Sequence, residues 1–577
     1  MAGPRLFHIS PDCCAEVQIA QIFRANGHEV ACHEGGRLAA DILYASARDA
    51  PLLAPWRKAR LVSGLYRLTP HWRPPLEGWR CFALLARHFP DARFLLTTRR
   101  VADWTRHRMI RDQGRAARAY AHHPGVETED LPAIWARDWQ AHQDAVAAHF
   151  GDDPRLIRLD LDRESPADLA ARLAPLVDLP VLPMGGWSLP APPPPPPLPR
   201  PDPAPPGWAE DVAQFCLRGL APGGDRMTGL SNLACHWAGQ VAAGQAPVTD
   251  RDGAPRQFAV FADPAPQPPH PLAPHPLALA RDGRHFKLIR AEGVINDILR
   301  LGRRDSLWID MEDSRWMGSP QGDPVDQPVL CHNRRAGARN AVLWPLPDQH
   351  SIGLPGFDPS ATPDQIPFDA KIDRLVWRGM MSGSEMREGV KPGPAAHVWL
   401  TRLAGATDAR AREAAWDGLC RTNRLHVLRR YIDHPDFDLG AVMGWAFRDV
   451  AQHPLLAPYC RPREDRGFFH RFRYQLCMSG YDHGSNFISG LDSRAVLLAE
   501  EDGWQVFYSG RFRPWEHYIP VARYLTDIED KLAWARAHPA ECRAISRRAR
   551  AEAAHLRDPA ARPALMRLIL DGIAGAR

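Results

Sequence analysis

Two neighbouring stretches decide the fold: HRFRYQLCMSGYDHGSNFISGLDSRAVLL, residues 470–498, and GRFRPWEHYIPVARYLTDIEDKLAWARAHP, residues 510–539. A basic-aromatic run leads into a Gly-containing turn over Gly480–Asn486. An apolar helical segment ending Leu491-Asp492-Ser493 follows, then an apolar run of strand length, Ala495–Leu498. Downstream, Thr526–Ala537 and Pro539–His555 carry helical periodicity. Strands and helices separated by short turns are the pattern of a layered α/β domain.

Moving upstream, KIDRLVWRGMMSGSEMREGVKPG, residues 371–393, places a strand (Arg374–Trp377) before a Gly/Ser-rich turn that holds Arg378 and Arg387. Arginine suits a diphosphate because its planar fork gives bidentate, permanently charged hydrogen bonds. Gly379 and Gly383 let backbone approach a ligand. Two arginines in a loop also fit plain surface charge. SLWIDMEDSRW, residues 306–316, ends a strand (Ser306–Ile309) in the acids Asp310, Glu312 and Asp313. Acids at the carboxyl end of such a strand face the crevice of an α/β sheet, where ligands bind. A solvated acidic loop and a metal-binding acid pair are the competing readings. A further strand is expected at Ala341–Trp344, and a helix at Asp408–Leu419 with Thr407 as its N-cap.

The chain has 577 residues, 45% hydrophobic and 24% charged, with a formal net charge of +5. That length exceeds one ordinary core. The balanced charge argues against a nucleic-acid binder, which would show a concentrated basic stripe. No apolar run reaches the roughly 18 residues of a membrane span, and MAGPRLFHISPDCCAEVQIAQIF has no signal-type apolar core. The eleven cysteines are scattered without a CxxC pair, as expected for reduced thiols in a cytoplasmic protein without a zinc site. Abundant Arg, Ala and Pro point to a GC-rich bacterial genome.

The clearest boundary is SLPAPPPPPPLPRPDPAPPG, Ser188–Gly207. Proline fixes φ and lacks an N–H, so polyproline II is expected, as a spacer or as an SH3-type ligand. The divisions are then residues 1–187, a linker at 188–207, and residues 208–577. A second Pro/His-rich stretch, Asp263–Pro276, reads as a surface loop. Before the spacer, strands are expected at Leu6–Ile9, Arg93–Thr97 and Arg155–Leu161. A helix at Ala15–Ala25 places Ile19, Ile22 and Phe23 on one face and stops at Gly27. This order implies a parallel sheet.

FHISPDCCAEVQIAQIFRANGHEV, LLTTRRVADWTRH and RLIRLDLDRESPADLAARLAPLVDLP together resemble the sulfotransferase family over residues 1–185. The resemblance implies a P-loop-type parallel sheet whose first loop would hold the phosphosulfate of 3′-phosphoadenylyl sulfate. The loop here is Ser10-Pro11-Asp12-Cys13-Cys14-Ala15-Glu16, with Asp12 where that family carries Lys. Asp12 and Glu16 would oppose the ligand, since like charges at 4 Å cost about 4 kcal/mol at an effective dielectric of 20. Arg99 matches the 3′-phosphate arginine. An inactive scaffold is expected, with sulfotransfer as the alternative.

The motif series from Asp313 to Pro520, with WRG at Trp377–Gly379 and PWEHYIPV at Pro514–Val521, resembles glycosyltransferase family 90, the protein O-glucosyltransferase type. That resemblance implies a GT-B-like pair of Rossmann-type lobes, an acceptor lobe over 208–365 and a donor lobe over 366–577. It implies inverting transfer of a hexosyl or pentosyl group from a nucleotide-sugar donor, a UDP-sugar, to a hydroxyl of a glycan or lipid-linked glycan acceptor. Lipopolysaccharide or capsule-type surface glycan is the acceptor class, which allows peripheral membrane association. No metal and no cofactor are required. The catalytic base falls on Asp313 and the donor-phosphate arginines on Arg378 and Arg387. Gly480, Gly484, Ser485 and Asn486 would lie along the diphosphate. Asn486 replaces an Arg of the eukaryotic enzymes. Ser493, Pro514, His517 and Tyr518 match motif positions, and His517 and Tyr518 fit equally as packing residues that shape the pocket floor. A non-catalytic carbohydrate-binding scaffold is the remaining alternative.

Overall fold

The computed structural model describes residues 4–46, 51–68, 75–122, 126–183, 186–187, 203–221, 223–240, 247–256, 259–261, 271–274, 288–347, 363–387, 393–444, 447–558 and 560–576. Most of the proline spacer, residues 188–202, lies outside them, as do residues 263–270 and 275–276 of the expected Pro/His-rich loop. Within that loop, Pro271–Pro274 is instead a strand, paired antiparallel with Ala259–Phe261. The chain divides into two compact units. One comprises Met1–Pro199, Cys235–Ser306 and Leu354–Ser360; the other comprises Arg200–Ala234, Leu307–Gly353 and Ala361–Arg577.

The first unit is built on a five-stranded parallel sheet. Its strands are β1 (Leu6–His8), β2 (Val30–Cys32), β3 (Leu61–Ser63), β4 (Arg93–Thr98) and β5 (Leu156–Asp160), in the spatial order β2-β3-β1-β4-β5. The helices α1 (Glu16–Ala25), α2 (Arg37–Ser46), α3 (Val101–Ile110), α4 (Leu131–Phe150) and α5 (Pro166–Leu173) punctuate it. Ile19, Ile22 and Phe23 of α1 are buried, as their spacing predicts. Gly27 adopts φ +78°, the left-handed geometry that ends a helix most cheaply with glycine. A capping box at the surface, with Ser165 and Asp168 exchanging hydrogen bonds, starts α5.

The second unit contains two sets of parallel strands. In the first, β6 (Leu307–Ile309), β7 (Val329–Cys331) and β8 (Ala341–Leu343) lie side by side in that order. The second is a five-stranded sheet of β9 (Ile372–Gly379), β10 (Phe437–Ala441), β11 (Phe472–Cys477), β12 (Val496–Glu500) and β13 (Ile519–Val521), ordered β10-β9-β11-β12-β13. Helices α6 (Ala409–Cys420), α7 (Asn423–Tyr431), α8 (Phe487–Leu491), α9 (Ile528–Ala537) and α10 (Pro539–His555) accompany it. The N-cap of α6 is Asp408, whose carboxylate accepts from Ala411 N, and not the expected Thr407. The chain runs from β9 outward to β10 and then crosses to β11 on the other side of β9. The order therefore reverses between β9 and β11, and the carboxyl ends of those two strands are where an α/β sheet places its ligand crevice.

All eleven cysteines are free. Among the described residues no helix is long and apolar enough to cross a membrane.

Candidate functional site

The three acids after β6 separate by role. Asp310 is fully buried and accepts from Ser231 N and Oγ, each at 2.8 Å, and pairs with Arg315 at 3.1 Å. It is a structural anchor for the loop. Glu312 accepts from Asp313 N at 2.9 Å. Asp313 keeps 24% of its side chain exposed, and Glu312 is likewise only partly buried; Asp313 is the one of the two whose carboxylate approaches His332, at 3.8 Å. Ser314 adopts φ +56° and its Oγ donates to the Tyr481 carbonyl, which ties this loop to the turn after β11.

Beside Asp313 stand two residues from the end of β7 and one from that turn. His332 is buried, with Nε2 3.8 Å from Asp313 Oδ1 and 3.2 Å from Asp482 Oδ2. Asn333 is oriented by Arg315 N, which donates to its Oδ1 at 2.9 Å. Its Nδ2 then donates to Asp482 Oδ2 at 3.0 Å and to His332 Nε2 at 2.7 Å. Ligand atoms of Asp313, His332 and Asp482 lie within 4.8 Å of one another, a set able to hold a metal ion, which the sequence reading did not anticipate. The sequence reading singled out Asp313 but neither His332, Asn333 nor Asp482. The apolar run Val329–Cys331, ending in His332-Asn333, was the available signal of a strand end carrying polar groups.

The turn Gly480–Asn486 joins β11 to α8. A Cβ on Gly484 would lie 2.4 Å from Cys477 Sγ and 2.9 Å from the Met478 carbonyl, so only glycine fits. A Cβ on Gly480 would meet Ser382 Oγ at 3.0 Å and Arg424 Nη2 at 3.1 Å. Ser485 is exposed. Asn486 turns inward and donates to the Leu476 carbonyl at 2.8 Å. Of the motif positions downstream, Ser493 and His517 are buried and hydrogen-bonded within the fold: Ser493 Oγ donates to the Gly490 carbonyl, and His517 Nδ1 accepts from Arg513 N.

The two predicted arginines are placed differently. Arg378, at the end of β9, donates to the carboxylate and carbonyl of Asp438 and packs over the Phe468 ring at 5.0 Å. Arg387 is exposed and lies 3.8 Å from Glu385. A cavity of about 290 Å³ opens beside the carboxyl end of β12, lined by Phe215, Phe487, Glu501, Asp502, Phe512 and Tyr518. Tyr518 donates to Glu501 at 2.8 Å, and Glu500, buried behind it, accepts Ser479 N and Tyr524 N. Burial, then the nearby Asp502 charge, raises the Glu500 carboxyl above its usual range.

In the first unit, the loop after β1 also lies where strand order reverses, between β1 and β4. Its acids do not line an open anion site. Asp12 is fully buried and pairs with Arg108 and Arg111, each at 3.1 Å. Glu16 accepts the backbone N–H groups of Cys13 at 3.1 Å and Cys14 at 2.9 Å, and the Tyr66 hydroxyl at 3.2 Å. Its carboxylate thus takes the donors that a phosphate would need. Arg99 donates to the Cys13 carbonyl at 3.1 Å.

Residues 464–557 match the family model described as glycosyl transferase family 90. An uncharacterized protein, 035R, of Invertebrate iridescent virus 3 is 29% identical over 163 residues, 26% of this chain and 15% of that protein. Protein O-glucosyltransferase 3 of Rattus norvegicus is 25% identical over 91 residues, 16% of this chain and 18% of its own length. Its Homo sapiens counterpart is 23% identical over 141 residues, 24% and 27% respectively. The chain thus spans between about a tenth and about a quarter of the length of the curated relatives it matches. The matched segment carries β11, the Gly480–Asn486 turn, β12 and β13, and it is over this segment that the chain matches glycosyltransferase family 90.

Proposed function

We propose that the second unit is an inverting glycosyltransferase that moves a hexosyl or pentosyl group from a UDP-sugar to a hydroxyl of a surface-glycan precursor, of lipopolysaccharide or capsule type, in the cytoplasm. Its strands would form a GT-B-like pair of lobes, with the acceptor side on the β6–β8 strands and the donor side on the β9–β13 sheet. The observation that carries the reading is the approach of Asp313 to the turn covered by the family match, through the Ser314–Tyr481 hydrogen bond and the Asp313–His332–Asp482 cluster.

In this reading Asp313 accepts the acceptor's hydroxyl proton as that oxygen bonds to the anomeric carbon. The bond from that carbon to the donor phosphate breaks, and its electron pair leaves with UDP. Arg378, Arg387 and the N–H groups around Gly480, Gly484, Ser485 and Asn486 take up the charge on the leaving diphosphate. The cavity beside β12 receives the nucleoside, with aromatic rings for the base and Glu501 and Asp502 for ribose hydroxyls. No obligatory metal is invoked, since the Asn333 amide already donates into the Asp482–His332 pair. Transfer should therefore persist in excess EDTA.

The first unit serves as a non-catalytic scaffold of P-loop, sulfotransferase-like type. The Glu16 carboxylate on Cys13 N and Cys14 N supports this over sulfotransfer. A hydrolysis assay across UDP-sugars tests the main reading. UDP release from at least one donor is expected; release from none, with no thermal stabilisation by UDP, would contradict it.

A further inference from the structure

The crevice between β9 and β11 contains a cation that no sequence motif marks. Arg424, the second residue of α7, is 8% exposed. Its Nε donates to the Ser479 carbonyl at 3.1 Å and its Nη2 to the Met478 carbonyl at 3.0 Å. Nη1 donates to the Met380 carbonyl at 2.8 Å and to Ser382 Oγ at 2.7 Å. Met380 and Ser382 follow β9; Met478 and Ser479 follow β11. The guanidinium therefore bridges the two loops that flank the strand-order reversal, where α/β sheets bind ligands.

Three features make this arrangement costly as it stands. All four acceptors are neutral, and among the described residues no carboxylate lies within ion-pair distance of Arg424; Glu500 and Asp482 act on it only from farther away and do not offset its burial. By contrast, Arg378 is held by Asp438 and Arg387 lies beside Glu385. A cation in the first turn of a helix opposes the helix dipole, which favours anions there. Burial also lowers the tendency of this guanidinium to stay charged. An anion bound in the crevice relieves all three. One of the five guanidinium N–H groups, on Nη2, remains for it. Gly480 adjoins Nη2: a Cβ there would lie 3.1 Å from it, so the lack of a side chain at this position keeps one from crowding that N–H.

We infer that Arg424 is a binding residue for the diphosphate of the donor, supplying the positive charge that Asn486 does not provide in the adjoining turn. Asn486 is committed to the Leu476 carbonyl, and its amide carries no charge. This inference rests on the donor reading above for the identity of the diphosphate, while the anion site itself does not depend on it.

The test is calorimetric titration of the full chain and of Arg424→Gln with UDP, uridine and inorganic pyrophosphate, each variant checked by thermal melting. Loss of a charge-assisted hydrogen bond predicts UDP and pyrophosphate weakened by roughly ten- to a hundredfold and uridine changed less than about threefold. A role confined to holding the two loops together would weaken UDP and uridine in parallel, and that result overturns the inference, as does unchanged UDP affinity. If Arg424→Gln does not fold, Arg424→Lys is read by the same ratio of UDP to uridine affinity. It should fall in the lysine variant, because a point charge replaces the bridging fork, and an unchanged ratio refutes the assignment. Pyrophosphate binding that depends on Arg424 without UDP binding would sink the nucleotide-donor reading and leave the anion site standing. Binding of neither ligand would sink both.

Discussion

Asp12 occupies the position at which the resembling family carries a phosphate-binding lysine, so Asp12→Lys is the obvious restoration. The structure predicts that it unfolds the first unit instead. Asp12 is fully buried between Arg108 and Arg111, and Arg108 is itself 1% exposed and shared with Glu77. Removing one partner from a buried ion pair costs about 3–5 kcal/mol, because the remaining charge stays desolvated. A lysine adds like-charge repulsion of about 4 kcal/mol per arginine at 4 Å and an effective dielectric of 20. Against a typical stability of about 5–15 kcal/mol, a sum of about 11–13 kcal/mol removes most or all of it. Asp12→Asn removes the charge without reversing it and should cost about 3 kcal/mol. Trp104 is a built-in reporter: its Nε1 donates to the Asp12 carbonyl at 2.7 Å, and Arg108 stacks over its ring at 5.2 Å. Urea unfolding followed by tryptophan fluorescence should show the Asp12→Asn midpoint lowered by about 1–2 M, for a slope of about 2 kcal/mol/M. An Asn variant within about 1 kcal/mol of the parent, or a folded Asp12→Lys stabilised by 3′-phosphoadenosine 5′-phosphate, would refute the reasoning.

Two buried histidines make the first unit acid-sensitive. Burial depresses His8 to about 3 and His142 to about 4, so both stay neutral when folded while the unfolded chain titrates near 6.5. Their contribution is present above that value and is lost as pH falls, by about 1.4 kcal/mol per pH unit for each; thermal melts at pH 7.5 and 5 should show it, and His142→Gln should flatten the dependence. In the second unit, Gly383→Ala should destabilise by about 2–3 kcal/mol in thermal melts, since φ there is +100° and the new Cβ would lie 1.9 Å from Asn423 Oδ1. Because Asn423 also holds the Ser479 carbonyl, UDP binding should weaken with it, and unchanged affinity would separate this contact from the crevice.

The strands whose both faces are buried were legible as apolar runs: Leu6–His8, Arg93–Thr98, Ala341–Leu343 and Val496–Glu500. The central strand Phe472–Cys477 was not, because Arg473 reaches out to Asp373 and Gln475 is buried against Ser493 Oγ, which breaks the apolar run. Asp408 caps α6 where Thr407 was expected, a choice made by one residue of backbone geometry that composition does not encode. The three acids at 310, 312 and 313 look alike in sequence; only burial against Ser231 and Arg315 distinguishes Asp310 from the accessible Asp313. Arg424 was invisible because it sits among the other arginines of a helical segment, and its four acceptors lie some 40 to 55 residues away in the chain.

The central claim, that Asp313 is the base of a UDP-sugar transferase, is tested most directly by Asp313→Asn measured two ways on one preparation. UDP release from the preferred donor should fall by at least about a hundredfold while calorimetric UDP affinity stays within about threefold, since the base acts only as the bond forms. Undiminished turnover in Asp313→Asn would contradict the account.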